Sequence, residues 1–159
     1  MSKKIQLTQG KVAVVDDADF EWLNRHKWYA HKRPNTWYAA RHSSLENGKR
    51  KTILMHRELL QAPPGFETDH KDGNGLNNQR ENLRIATTAQ NQHNGRARKG
   101  TASRFKGVTW HRDRAKWRTR IRAEGRRVHL GLFASEIEAA RAYDWAARKF
   151  FGEFARANF

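Results

Sequence analysis

The stretch Asp69-His70-Lys71-Asp72-Gly73-Asn74, followed by Asn82-Leu83-Arg84 and then by Gln90-Asn91-Gln92, decides how this chain is read. It sets a carboxylate, an adjacent imidazole and two spaced asparagines between positions 69 and 91. Hydrolysis of a phosphodiester needs an aligned nucleophile, neutralised charge in the transition state and help for the leaving oxygen. A hard divalent ion held by oxygen ligands supplies the last two. Asp69 offers charge for such an ion and Asn91 a neutral amide oxygen. His70, with a reference pKa of about 6.5, can take a proton from water at neutral pH. Adjacent residues of a regular strand point to opposite faces, so Asp69 and His70 are expected at a strand end or bulge. Thr87-Thr88 is placed to cap a short helix with Asn91 in its first turns. Asp72-Gly73-Asn74-Gly75 is rich in turn formers.

The chain around this stretch is basic. Its 159 residues carry 32 Lys and Arg against 16 Asp and Glu, a formal net charge of +16 and a pI near 10.9. Such an excess favours a nucleic-acid partner or an anionic surface. No apolar run reaches the length of a spanning helix, and Met1–Gln9 lacks the apolar core of a signal peptide, so the membrane reading has little support. With no Cys there are no disulfides, and a zinc finger is excluded. These features read as an intracellular, cytoplasmic protein. The length suits one ordinary domain or two small ones.

Charge divides the chain. Residues 1–94 carry a balance of +5 and residues 95–159 one of +11. The change falls at Gly95-Arg96-Ala97-Arg98-Lys99-Gly100-Thr101-Ala102-Ser103, read as a basic linker over 95–103. Before it, Lys11-Val12-Ala13-Val14-Val15 reads as a strand. Trp28-Tyr29-Ala30-His31 and Trp37-Tyr38-Ala39-Ala40-Arg41 read as a hairpin around Arg33-Pro34-Asn35. Asn47-Gly48 is a further turn. Thr52–Leu60 is an apolar segment, helical over its second half and halted by Pro63-Pro64-Gly65.

Beyond the linker, Trp117-Arg118-Thr119-Arg120-Ile121-Arg122 alternates with period two. Trp117, Thr119 and Ile121 face one side; Arg118, Arg120 and Arg122 face the other. Glu124-Gly125 turns the chain into Arg127-Val128-His129-Leu130, with Val128 and Leu130 on the buried side. Phe105–Trp110 supplies a third strand. Ser135-Glu136-Ile137-Glu138 opens a helix as a capping box. Ala139, Tyr143, Ala146 and Phe150 give that helix an apolar stripe, and Gly152 ends it. The fold class expected is α+β, and this second part is a three-stranded antiparallel sheet packed on one helix.

His56, Asp69-His70, Asn82-Leu83-Arg84 and Asn91 resemble the HNH nuclease motif, in the form found in phage and intron homing endonucleases. The resemblance runs over roughly residues 55–94. It implies a ββα-metal (HNH) nuclease domain, placed at 1–94 with a β-rich N-terminal extension. His70 would be the general base. Asp69 and Asn91 would hold one divalent metal ion, Mg²⁺ in the first instance with Mn²⁺ as the alternative. Asn82 would be the middle asparagine that keeps the loop in shape. The last position is often His in the wider family and is Asn here. His93 is no substitute, because two residues along a helix turn about 200°. His56 reads as a core histidine.

Residues 104–159 closely resemble the APETALA2 DNA-binding domain. The match rests on Phe105-Lys106-Gly107-Val108, the Trp117–Arg122 strand, Leu130-Gly131-Leu132-Phe133, Ala139-Ala140-Arg141-Ala142-Tyr143-Asp144 and the closing Phe151–Phe159. That family lays its sheet in the major groove of double-stranded DNA. Lys106, Thr109, Arg114, Arg120, Arg122, Arg127 and His129 fall where its plant members place contact residues. Lys116 and Arg118, on the same strand face, complete the candidate DNA-binding set. Thr109, Arg120 and His129 stand where Arg, Glu and Trp are usual.

Together these readings give a metal-dependent DNA endonuclease of homing type, monomeric and phage-encoded in a bacterial host. Its cleavage site would be chosen by the C-terminal domain. Two alternatives stand beside it: a DNA-binding regulator with an inactive nuclease fold, and an RNA-binding protein.

Overall fold

In the computed structural model, which describes residues 1–159 apart from Glu46, Arg98 and Lys99, the chain begins as an antiparallel hairpin. Ser2–Gln6 (β1) pairs with Val12–Asp16 (β2), and the buried residues Ile5, Ala13 and Val15 face one side. The second strand was expected; the first was not. Asp16-Asp17 leads directly into a helix, Asp17–Leu23 (α1), with Asp17 and Asp19 in its first turn, where acids suit the helix dipole. Trp28 Nε1 donates to Leu23 O at 2.7 Å, satisfying a carbonyl at the helix C-terminus.

Tyr29–Arg33 (β3), Thr36–His42 (β4) and Thr52–Leu54 (β5) form an antiparallel sheet in the order β3-β4-β5. Met55–Leu60 (α2) follows without a break. It ends at Gln61, whose left-handed backbone (φ 47°) stops the helix before the prolines are reached. Glu67–His70 (β6) and Leu83–Ala86 (β7) pair antiparallel, with Asp69 opposite Arg84 and His70 opposite Leu83. Thr88–His93 (α3) comes next. Thr87 Oγ1 accepts from Gln90 N at 3.2 Å while Gln90 Oε1 accepts from Thr87 N at 2.8 Å, a reciprocal capping box.

By contacts the chain divides into two units, Met1–Asn91 and Gln92–Phe159, with the division inside α3. The first is built on one apolar cluster that includes Ile5, Val15, Leu23, Trp28, Met55, Leu59 and Leu83. Each large side chain buried there contributes about 1.5–3 kcal/mol.

In the second unit, Val108–His111 (β8), Lys116–Ala123 (β9) and Arg126–Phe133 (β10) form a sheet in the order β10-β9-β8. Glu124-Gly125 makes the hairpin turn with both φ angles positive, 51° and 73°. A bulge between His129 and Gly131 shifts the register, so Gly131 faces Thr119 and Phe133 faces Trp117. Glu136–Phe151 (α4) packs on the sheet. Ser135 Oγ accepts from Ile137 N at 3.2 Å, and Gly152 (φ 52°) ends the helix. At Gly107 (φ 78°) an added Cβ would press against the Tyr143 ring and lie 2.8 Å from Arg120 O, so only glycine fits where the chain enters the sheet.

One detail corrects the sequence reading. Phe150 does not belong to the buried stripe: it is 41 % exposed, and Phe151 packs on the inner cluster of Ile121, Tyr143, Ala146 and Ala147 instead. The segment 95–103, read as a linker, lies within the second unit, apart from Arg98 and Lys99, which lie outside the described residues. Ser103 is buried there and its Oγ accepts from Phe105 N at 3.0 Å. Among the described residues no helix is long and apolar enough to cross a membrane.

Candidate active site

His70 is the last residue of β6 and Asp69 the one before it, so the pair sits at a strand end. Strand alternation sends them to opposite faces. Both are buried, each 4 % exposed.

On one face, His70 meets Tyr38 and His56. The His56 and His70 rings stand edge to face at 4.9 Å, and the Tyr38 ring lies 5.0 Å from His56 and 5.7 Å from His70. His70 Nε2 is 3.3 Å from Asn78 Oδ1. With an amide oxygen facing it, Nε2 carries the hydrogen and Nδ1 the lone pair. Burial pushes the His70 pKa below its ordinary value, outweighing Asn78, Asp72 and Asp69, so the ring is a neutral base at pH 7. His56 is pushed down to about 3 by burial, His70 and Arg57, and its Nδ1 has no hydrogen-bond partner among the described residues.

On the other face, Arg84 Nε and Nη2 both donate to Asp69 Oδ2, at 2.9 and 2.8 Å. Glu67, two residues before Asp69 and so on the same strand face, accepts from Asn91 Nδ2 through Oε2 and from Thr88 Oγ1 through Oε1 at 2.9 Å. The amide nitrogen of Asn91 is thereby oriented by a carboxylate. Asp69, Glu67 and the Asn91 amide form a set of hard oxygen donors. Among the described residues no three His, Cys, Asp or Glu side chains group as a ready metal cage. The Asp69 carboxylate and the Asn91 amide oxygen are of the hard-donor type that suits a divalent cation keeping several of its waters.

Residues 71–82 join the two faces. Asn82 Oδ1 accepts from Asp72 N at 3.1 Å, and its Nδ2 donates to Asp72 Oδ1 at 3.1 Å and to Asn77 O at 2.8 Å. Lys71 N donates to Asn82 O at 2.9 Å. Gly75 sits against β4: its N donates to Thr36 Oγ1 at 3.1 Å, and an added Cβ would fall 2.6 Å from the Tyr38 ring. The N-terminal hairpin and α1 hold the loop from the far side. Val14 exchanges backbone hydrogen bonds with Leu76 O and Asn78 N at 2.8 and 2.7 Å. Asp16 accepts from Arg80 N at 2.8 Å, and Asp19 takes the Arg80 guanidinium bidentately at 2.7 and 2.8 Å.

The structure thus brings Asp69 and Asn91 to one strand face through Glu67, puts His70 on the other, and ties Asn82 into the loop. Sequence reasoning missed Glu67, Asn78, Arg84 and Tyr38, which act on the candidate residues through space. Glu67 and Arg84 had local signals, the first standing two positions before Asp69 in a short strand and the second closing the quoted Asn82-Leu83-Arg84 triplet.

In the second unit, Arg120, Arg122, Arg127 and His129 are exposed on the sheet face away from α4, as are Lys116 and Thr109; Arg114 is exposed on the turn before β9. Arg122 pairs across the sheet with Arg127, and Arg120 with His129. Like charges directly opposite destabilise a sheet, and no carboxylate pairs with Arg120, Arg122 or Arg127 among the described residues. Arg118, expected on the open face, is half-buried, and its Nε is buried without a hydrogen-bond partner. Lys106 is also half-buried: Nζ donates to His93 O at 2.5 Å, and burial, then Arg156, lowers its pKa to about 8.

A family model described as HNH endonuclease matches residues 61–93. Over 156 residues the chain is 30% identical to an uncharacterized HNH endonuclease of Acanthamoeba polyphaga mimivirus, covering 94% of this chain and 76% of that one. It is 35% identical over 94 residues to Protein 3.8 of Escherichia phage T7, covering 59% of this chain and 77% of the relative. Over 60 residues it is 50% identical to an AP2-like ethylene-responsive transcription factor of Arabidopsis thaliana, a segment of 36% of this chain and 12% of the plant protein. No solved structure matches.

Proposed function

The chain belongs to the HNH endonuclease family and is a nuclease, and from that premise we propose that it is a metal-dependent DNA endonuclease of homing type. In this reading β6, β7 and α3 form the ββα-metal unit, and the second unit is an APETALA2-like domain that selects the site. The observation that carries it is the neutral, buried His70 imidazole held by Asn78 at the end of the strand that bears Asp69.

His70 Nδ1 takes the proton of the attacking water. Asn78 fixes the ring's tautomer and orientation. Asp69 and Asn91 hold one divalent ion, Mg²⁺ or Mn²⁺, and the Glu67 carboxylate orients the Asn91 amide by accepting from its Nδ2. When bound, that ion supplies charge neutralisation at the phosphate and help for the leaving oxygen. Arg84 fixes the Asp69 carboxylate. Asn82 keeps the loop between base and helix in one shape. Arg120, Arg122, Arg127 and His129, with Thr109, Arg114 and Lys116, meet double-stranded DNA, while the half-buried Lys106 and Arg118 lie at the edge of that surface. The protein acts as a monomer in the cytoplasm of a bacterial host, a setting supported by its phage relative.

Supercoiled plasmid tests the reading. The wild type converts it to nicked or linear form with Mg²⁺ or Mn²⁺ and not with chelator. His70→Ala binds DNA as before and loses roughly 10²–10⁴-fold in rate. A wild type that binds duplex and leaves plasmid intact at every metal concentration would instead establish a DNA-binding regulator. A preference for single-stranded RNA over duplex would favour the RNA-binding alternative.

A further inference from the structure

Four cationic side chains of the second unit, Arg96, Arg104, Lys106 and Arg156, surround one pocket of about 440 Å³ together with Ala97, Ala157 and Asn158. No carboxylate is among its described lining residues. The pocket has a built frame. Asp144, itself 2 % exposed, accepts from Asn158 N at 2.7 Å, Asn158 Nδ2 at 2.9 Å and Phe159 N at 3.0 Å, tying the C-terminal tail to α4. Asn158 Oδ1 in turn accepts from Lys106 N at 2.7 Å. The buried aspartate thus spends its charge on the frame, and Arg156 is carried beside Lys106 with their positive charges opposed.

The pocket is continuous with the outer face of the sheet. Arg96, Ala97 and Lys106 also line a groove of about 750 Å³ whose other walls include Thr109, Arg118, Arg120 and Arg127. A ligand lying along the sheet would meet the pocket at its end.

We propose that this pocket binds one backbone phosphate of duplex DNA, adjoining the stretch that the sheet covers. A phosphodiester complements its charge, and guanidinium groups match phosphate oxygens in geometry. None of Arg96, Arg104 and Arg156 needs to touch a base, so the contact anchors the domain and carries no sequence preference. The inference rests on the reading that the sheet meets DNA.

The test uses the full chain and a duplex whose affinity is measured against salt. Each phosphate neutralised adds about 0.9 to the slope of log affinity on log salt. The double variant Arg104→Gln/Arg156→Gln is expected to lose about 0.9 of that slope and to weaken binding equally for unrelated duplexes. Arg104→Gln, at an exposed position, serves alone if the double variant melts early, and then loses a fraction of the slope. An unchanged slope in a folded variant, alongside a reduced one in Arg120→Gln, overturns the pocket and leaves the sheet's role standing. A wild type with no duplex binding at low salt overturns both.

Discussion

Asn82 and Asp72 hold each other reciprocally: Asn82 Oδ1 accepts from the Asp72 backbone at 3.1 Å while Asn82 Nδ2 donates to the Asp72 carboxylate at 3.1 Å. The same Nδ2 reaches Asn77 O at 2.8 Å, so one amide closes both ends of the turn after His70. An amide is needed because the site requires an acceptor and donors at once. Asn82→Asp keeps the acceptor, removes the donors and faces Asp72 with a second negative charge. Both Asn82→Ala and Asn82→Asp are expected to cost about 1–3 kcal/mol in urea unfolding. Cleavage should fall further than duplex affinity. Unfolding midpoints equal to the wild type's would remove the loop-holding role.

His56 makes stability depend on pH in a defined window. Folding lowers its pKa to about 3, chiefly through burial and then through His70. Below its unfolded value of about 6.5 the unfolded chain binds the proton and the folded protein does not, so acidification favours unfolding. The stability contributed by the neutral ring is complete above that value and declines as pH falls toward about 3. Each such group adds about 1.4 kcal/mol per pH unit to the slope. Urea unfolding between pH 4 and 6 should therefore show a shallower slope in His56→Phe than in the wild type, roughly by one proton. Equal slopes would mean that His56 titrates normally in the fold.

Asp69 has two duties that mutagenesis can separate. Its carboxylate is the charged member of the proposed metal set and also the partner of Arg84, the two side chains being 5 % and 10 % exposed. Asp69→Ala leaves a buried guanidinium without its carboxylate, which costs about 3–5 kcal/mol. The double variant Asp69→Ala/Arg84→Met is expected to recover most of that stability and none of the cleavage at any Mg²⁺ or Mn²⁺ concentration. Asn91→Ala should show the milder phenotype, a higher metal requirement with the fold intact. Metal-saturated activity restored by Arg84→Met in the Asp69→Ala background would exclude Asp69 as a ligand.

What the residues disclosed was local. The alternation of Trp117–Arg122, the Glu124-Gly125 turn, a helix cap at Thr87-Thr88 and the helix over the second half of Thr52–Leu60 each carry their signal within a few positions. β1 and α1 did not stand out. The first buries only Ile5, and the seven residues of α1 open with acids that also read as a turn. Phe150 was misplaced because Phe150-Phe151 offers two rings to one apolar stripe, and packing chose the second. The surroundings of the site are legible only in three dimensions. Arg80 meets Asp16 and Asp19 from more than 60 residues away, and Asn78 matters through a single contact with His70. No spacing rule ties such pairs together.

The opposed arginines of the second unit carry the last prediction. Arg122 lies across from Arg127 and Arg120 across from His129 on an exposed sheet face, a pairing that costs stability in the free protein. A polyanion reverses that cost. The inner face of this sheet is closed by residues of the same unit, among them Ile121, Tyr143, Ala146 and Phe151. His93, at its start, stacks on Phe151 at 3.6 Å, so a fragment should begin at Gln92 rather than at Arg104. Fragment 92–159 is expected to fold alone and to bind duplex DNA with steep salt dependence. Arg127→Gln should leave its thermal midpoint unchanged or raised while weakening binding. The salt slope then falls by about 0.9 if Arg127 meets a phosphate, or sequence preference relaxes if it reads a base. A folded fragment that leaves duplex DNA unbound at low salt would overturn the assignment of targeting to this unit.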